Sequence, residues 1–192
     1  MKTKLTLFVA VIAVALFGAG CASTTEYPSD SILNSKKLRN LEIHSLNPNP
    51  SFEQGTVGWV TSGSGSGGNI EVVRNQDDLI NGKQAMRLKP SSGYTRLTVK
   101  DPIKLSVGKN YQMILVIHGK VTIPYIGTTG WGDIDANTKA EGIIHQYEHG
   151  KTIVTRKIAS KNGHAVTPTL SYHQRELIVE HFFLIEEKPK TK

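Results

Sequence analysis

Apolar and polar positions divide the chain into three stretches. An unbroken apolar run from Leu5 to Phe17 follows Lys2 and Lys4 and gives way to Gly18, Ala19 and Gly20 before Cys21. A charged start, a short apolar stretch and a small-residue exit is the order of a secretory leader. The run falls short of the roughly 20 residues that a membrane span needs. Residues 22 to about 40 are polar, rich in Ser, Thr, Asp, Asn and Lys, and without a sustained period, so they read as a disordered tether. From Leu41 onward, short runs of Val, Ile, Thr and Tyr alternate with Gly, Asn, Asp and Pro, the pattern of an all-β domain. No stretch carries a convincing helical period.

The clearest predicted strands are Ile70–Arg74, Gln84–Lys89, Tyr94–Lys100, Asn110–His118, Gly142–Tyr147, Thr152–Ile158, Thr169–Gln174 and Glu176–Glu186. Strands of this number and length imply two packed sheets. In Asn110–His118, Tyr111, Met113, Leu115 and Ile117 share one face. Ile114 and Val116 lie between Gln112 and His118 on the other, so both faces are apolar and the strand is expected to be central. In Tyr94–Lys100, Thr95, Leu97 and Val99 alternate with Tyr94, Arg96, Thr98 and Lys100, leaving one face for a core and one for water or a polar ligand. The Ser-Gly repeats of Ser62–Asn69 are followed by neither Lys-Ser/Thr nor a helix, which excludes a phosphate loop and leaves a flexible connector.

Cys21 is the only cysteine of the 192 residues. Standing directly after Gly-Ala-Gly, it resembles the lipobox cysteine of bacterial lipoproteins, with Gly18 where a Leu or Val is common. The resemblance implies acylation of Cys21 and a membrane anchor; the alternative is a secreted protein cut near Ala22 with a free thiol. Ala22, where an aspartate would retain a lipoprotein at the inner membrane, points to the outer membrane of a two-membrane cell. The expected organisation is a leader over 1–20, a lipidated cysteine and tether over 21–40, one domain over 41–188 and a tail over 189–192. A chain of this length builds one core, and with no further cysteine it must do so without internal disulfides. Loss of Lys2 and Lys4 lowers the formal charge from +7 to about +5. That mild excess suits solubility or weak contact with anionic polymers; no Lys/Arg cluster is dense enough to follow a nucleic-acid backbone.

Asn49-Pro50-Ser51-Phe52-Glu53-Gln54-Gly55, followed by Gly58-Trp59, resembles the opening motif of cenC-type carbohydrate-binding modules (families 4, 9 and 22). Gly82-Lys83-Gln84-Ala85-Met86-Arg87-Leu88 is similar to their G-x-x-A-L-x-L strand. Leu105-Ser106-Val107-Gly108-Lys109-Asn110-Tyr111 resembles their L-x-P-G-K-x-Y turn, with Val107 in place of proline, and Val179 to Glu186 stands where their terminal strand would lie. The resemblance spans about Asn47 to Glu187 and implies a galactose-binding-like, two-sheet jelly-roll β-sandwich that binds carbohydrate and is rarely catalytic. It also implies a structural Ca²⁺ held by Glu53 and Glu180, hard oxygen ligands of the kind this ion prefers. A glutamate stands where the first aspartate of the terminal motif is usual, and His181 where the second is. Two states are therefore open: calcium retained, or Glu180 exposed or paired with a lysine or arginine.

Sugar rings need aromatic faces to stack on and polar edges for their hydroxyls. The Gly-flanked loop Tyr125–Asp133 offers Tyr125, Trp131 and Asp133, and the polar strand faces add Tyr94, Arg96 and Gln112. Trp59 of the family-like motif is expected to cap the core instead. His145-Gln146-Tyr147-Glu148-His149 matches the H-x-x-E-H arrangement of inverted zinc peptidases, which requires a helix. In a strand its two histidines lie about 13 Å apart at roughly 3.3 Å per residue, too far for one zinc. His118, His164, His173 and His181 are expected to serve strand-face hydrogen bonds. No nucleophile elbow and no glycosidase-like carboxylate pair stands out, so the chain is not expected to be an enzyme. The expected function is non-catalytic carbohydrate binding at the envelope. An assembly lipoprotein that holds a protein partner is the alternative, and an accessory subunit of a separate hydrolase a third.

Overall fold

The computed structural model describes residues 27–63, 69–74, 79, 84–89, 95–121, 125–128, 143–172 and 176–188, with the side chains at 62, 63, 69, 125 and 128 outside that description. The leader, Cys21 and the 189–192 tail also lie outside the described residues.

Twelve strands and one helix are described: α1 Ser35–His44, β1 Trp59–Gly63, β2 Asn69–Arg74, β3 Gln84–Lys89, β4 Thr95–Val99, β5 Ile103–Lys104, β6 Asn110–His118, β7 Tyr125–Thr128, β8 Ile143–Glu148, β9 Lys151–Ala159, β10 Ala165–Val166, β11 Pro168–Tyr172 and β12 Leu177–Glu186. They form a β-sandwich. A six-stranded sheet in the order β2-β3-β12-β6-β9-β8 faces a four-stranded sheet in the order β1-β4-β11-β7, and β5 pairs with β10 beside them. Every pairing is antiparallel. The chain crosses between the sheets repeatedly, from β1 to β2, β3 to β4, β6 to β7 and β11 to β12, as a jelly roll requires.

Alternation along the strands builds the core. Leu97 and Val99 of β4, Leu170 of β11 and Ile126 of β7 meet Tyr111, Met113, Leu115 and Ile117 of β6 and Phe182 and Leu184 of β12 between the sheets. As expected, β6 is central, between β12 and β9, and both its faces are buried. The Asn49–Trp59 motif works as a folded plug at one end. Phe52, fully buried at a φ of 59°, and Trp59 pack 5.2 Å apart, and Trp59 stacks on Phe182 at 5.5 Å. The Asn49 side chain ties the turn together, accepting from the Gln54 N–H and donating to the Gly55 carbonyl, while Trp59 Nε1 donates to the Asn49 carbonyl. Gly58 is required there: at φ 80° a Cβ would stand 2.4 Å from Pro48 Cγ.

Two expectations are corrected. Residues 35–44, expected to be the end of a structureless tether up to residue 40 and the start of the β domain from 41, form α1, whose first turn is capped by the Asn34 carboxamide oxygen accepting from the Lys36 N–H. The helix escaped notice because its apolar stripe is only Leu38 and Leu41, set among Lys36, Lys37, Arg39 and Asn40. Burial decides in favour of the helix: Leu33 and Leu38 pack with Ile114, Val116, Ile153 and Phe183 on the outer face of the six-stranded sheet, flanked by Tyr27, Ile32 and Leu41. The described fold thus includes the segment from Tyr27 onward. The stretch Tyr125–Asp133, expected to be a loop, begins as strand β7, which pairs with β11.

Candidate functional site

The outer face of the four-stranded sheet carries the strongest ligand-binding geometry. Register aligns Arg96 of β4 with Ser171 of β11, and Thr98 with Thr169 and with Val60 of β1. Since neighbours along a strand point to opposite faces, these residues lie opposite Leu97 and Leu170, on the side away from the core. Arg96 Nε donates to Ser171 Oγ at 3.3 Å, and Thr169 Oγ1 donates to the Thr167 carbonyl at 2.9 Å and lies 3.3 Å from Thr98 Oγ1. Gly127 of β7 stands across from Thr169, and Tyr125 across from Ser171. Thr169 and Ser171 are buried, at 2% and 7% exposure, so what this polar platform offers outward is the half-buried guanidinium of Arg96, the half-buried Thr98 and the exposed Val60, with the two buried hydroxyls holding them in place.

The expected site residues separate. Arg96 lies at the centre of this platform. Tyr125 opens β7 at its margin, its side chain outside the described residues. Tyr94, Trp131 and Asp133 also lie outside the described residues. Gln112 does not join Arg96: it sits on β6 with Ile114 and Val116, on the outer face of the six-stranded sheet, on the far side of the sandwich. Alternation put both side chains on outward faces, but only the sheet topology reveals that the faces belong to different sheets. Alternation places Thr98 on this face; Thr169 and Ser171 are the platform residues that sequence reasoning missed, although the Thr-Leu-Ser-Tyr alternation of β11 carries their signal.

No protein-family model matches the chain, and no curated protein matches it. Among solved structures, the enzymatically active domain of tailspike protein 4 of bacteriophage CBA120 aligns at a TM-score of 0.55 and 11% identity, covering 75% of this chain and 22% of that one. The likeness is one of fold, and the chain spans only about a fifth of that protein. The CBM22-1 and GH10 modules of Clostridium thermocellum endo-1,4-β-D-xylanase 10B, complexed with xylohexaose, align at 0.47 and 14% identity, covering 79% of this chain and 29% of that one. A family 61 carbohydrate-binding module with bound β-1,4-galactotriose aligns at 0.45 and 17% identity, covering 74% and 99%. The last two superpositions are loose, and the fold assignment stands on the two sheets themselves.

Glu53 and Glu180, the expected calcium ligands, are differently engaged. Glu180 lies where the β12–β6 register slips between Val179 and His181, so a bulge turns its side chain towards Lys151 and His118. Lys151 Nζ donates to Glu180 Oε1 at 2.6 Å, with the two side chains only 3% and 2% exposed, and His118 Nδ1 lies 3.0 Å from the ammonium and 3.2 Å from the carboxylate. Glu53 Oε1 accepts from the Gln84 N–H at 3.3 Å, and its carbonyl accepts from Gln84 Nε2 at 3.1 Å, which fastens the N-terminal plug to β3. A divalent cation on Glu180 Oε1 would have to displace a buried ammonium from its carboxylate. The residues present therefore do not fit a calcium cage at Glu180. Among the described residues no group of three or more His, Cys, Asp and Glu side chains is arranged to hold a metal.

The H-x-x-E-H stretch is a strand and a turn: Ile143–Glu148 is β8, and His149 and Gly150, at φ 47° and 77°, reverse the chain into β9. Burial lowers the pKa of His145, whose Nδ1 is enclosed without a partner among the described residues, and burial raises that of Tyr172. A hydrogen bond from Lys89 leads the effects that lower the pKa of Glu71 on the surface. All three groups sit on strands and have structural explanations.

Proposed function

We propose that this chain is a non-catalytic carbohydrate-binding module, exported and anchored to the cell envelope by lipid on Cys21. The observation that carries the reading is the platform of the four-stranded sheet, where Arg96 and Thr98 stand half-buried and in register with the buried hydroxyls of Ser171 and Thr169 that position them. A positioned guanidinium and hydroxyl suit the hydroxyls of a sugar, and aromatic faces at the margins would supply stacking. The Asn49–Trp59 resemblance to cenC-type modules supports the same class.

The test is calorimetric titration and polysaccharide pull-down of the full chain against a glycan panel, beside Arg96→Ala and Trp131→Ala variants. A hydrogen bond to a charged group is worth roughly 1.5–3 kcal/mol, so Arg96→Ala should weaken binding roughly tenfold or more. No binding to any glycan, or binding indifferent to both substitutions, refutes the reading. Lipidation is checked separately: Cys21→Ser should abolish palmitate labelling and release the protein from the membrane fraction.

One observation favours a protein partner instead. Among the described residues β8 ends the six-stranded sheet, and Ile144 and Tyr147 on it are more than half exposed. Such an edge is a template for an added strand. Loss of a co-purified partner on Ile144→Lys, together with no glycan binding, would move the assignment there.

A further inference from the structure

A second cleft lies on the opposite side of the sandwich and is independent of the four-stranded platform. On the outer face of the six-stranded sheet, Phe183, Ile114 and Thr155 form one cross-strand row, and Ile185, Gln112 and Lys157 form the next row on the same face. The first row belongs to the apolar patch under α1. The second opens into a cleft of about 550 Å³, walled by Asn40, Leu41 and His44 of α1. A volume of this size falls within the roughly 300–1,000 Å³ of small-molecule sites.

The lining specifies the ligand. Leu41 and Ile185, both half-buried, supply apolar surface. Asn40, Asn110 and Gln112 bring three carboxamides, each able to donate and accept, and none of them has a side-chain hydrogen bond among the described residues. The charged groups offset one another: Lys157 pairs with Glu187 at 3.3 Å, Glu186 pairs with Lys109 at 3.0 Å, and Lys188 completes the rim. An anion or a cation gains little from a rim of paired charges. A compact neutral molecule with one C–H-rich face and several hydroxyls is matched by the apolar surface and the amides together.

We propose that this cleft is a second saccharide site, taking a neutral sugar residue between α1 and the six-stranded sheet. The test is a heteronuclear NMR titration of the ¹⁵N-labelled full chain with neutral xylo-, cello- and galacto-oligosaccharides at millimolar concentration, following the side-chain amide signals of Asn40, Asn110 and Gln112. The expected result is a shift of these signals that weakens at least tenfold in Gln112→Ala and persists in Arg96→Ala, with the backbone spectra of both variants otherwise unchanged. Should Gln112→Ala disturb the fold, Asn40→Ala, at an exposed helix position, serves in its place. No shift at these amides, or shifts that survive both cleft substitutions, overturns the second site. Shifts lost in Arg96→Ala alone also overturn it and leave a single site on the four-stranded platform. Failure of the platform reading shows differently, as Arg96→Ala binding glycan like the parent.

Discussion

Removing the Lys151 ammonium takes from a buried carboxylate its cation, and the cost can be worked from the geometry. The Lys151–Glu180 pair is 2.6 Å long and its side chains are 3% and 2% exposed, so solvent screens it little. Breaking such a pair on one side costs about 3–5 kcal/mol, and because His118 Nδ1 stays 3.2 Å from Glu180 the lower end, about 3 kcal/mol, is expected. Lys151→Met keeps the aliphatic length and removes only the charge and its donors. For a domain of this size each kcal/mol is worth roughly 2–4 °C, so the melting temperature should fall by about 10 °C. Replacing both residues, in Lys151→Met with Glu180→Leu, removes the carboxylate as well and should recover stability to within about 1 kcal/mol of the parent. Urea unfolding followed by the fluorescence of Trp59, buried in the Phe52–Phe182 stack, measures all three proteins. A single variant that loses less than about 1 kcal/mol, or a double variant no more stable than the single, refutes the buried-pair account. Calcium supplies an independent check. A ligand of the native state at 100 times its Kd would add about 2.7 kcal/mol, whereas the parent, with its carboxylate already paired, should keep the same midpoint in calcium and in chelator.

Three further outcomes follow from the same structure. Leu38→Ala should lower stability by about 2–3 kcal/mol in urea unfolding, while Ile43→Ala, at a position 69% exposed on the same helix, should stay within about 0.5 kcal/mol; equal effects would mean that α1 does not dock. Gly58→Ala should cost about 2 kcal/mol or more, since it meets both a left-handed φ and Pro48 at 2.4 Å, whereas Gly119→Ala, at φ 79° with nothing within 4 Å, meets only the backbone term of about 1–2 kcal/mol. His145, with its pKa held below 6.5 by burial, binds a proton more readily in the unfolded chain. Its contribution is therefore intact above the unfolded pKa and is lost as pH falls through it. His145→Gln should flatten the stability profile between about pH 7 and pH 5, and an unchanged slope would contradict the burial.

Local pattern carried most of the sandwich. Gln84–Lys89 and Asn110–His118 fall where the sequence puts them: in the first, buried Met86 and Leu88 alternate with half-buried Arg87 and Lys89, and the second is apolar and buried on both faces from Met113 to Ile117. Elements that depend on distant partners were less legible. β7 has Gly127 at its centre, a residue that depresses strand propensity, yet its pairing with Thr169 of β11 holds it in the sheet. α1 has too few apolar residues to be recognised alone, and it forms because Ile114, Val116, Ile153 and Phe183 give its stripe a surface to cover. The Lys151–Glu180 pair joins residues 29 apart through a bulge, a feature without a local signature. Arg96 was legible as an outward residue of an alternating strand. Its separation from Gln112 was not, because alternation fixes which side of a strand a residue occupies but not which sheet the strand belongs to.

The docked N-terminus also bears on how the two faces would be presented. From Leu46 to Asn47 the chain is laced to β12: the Leu46 N–H donates to the Leu184 carbonyl at 2.7 Å, and the Asn47 side chain donates to the Phe182 carbonyl at 2.8 Å and accepts from the Leu184 N–H at 2.7 Å. Ahead of it, Leu33 and Leu38 bind the segment to the outer face of the six-stranded sheet. Five residues lie between Cys21 and Tyr27, so the six steps reach at most about 22 Å even when fully extended. A lipid on Cys21 would therefore hold the α1 side of the sandwich near the bilayer. The Arg96 platform, on the other side of a core about 10 Å thick, would then face away from the membrane, where a polymeric glycan can approach without meeting lipid. The cleft beside α1 would lie nearer the membrane and admit only short or terminal saccharides. Releasing α1 by Leu38→Ala would weaken that orientation and open the α1 cleft while leaving the Arg96 platform in place, so capture of a polymeric glycan by whole cells should fall more than capture by the detergent-solubilised protein.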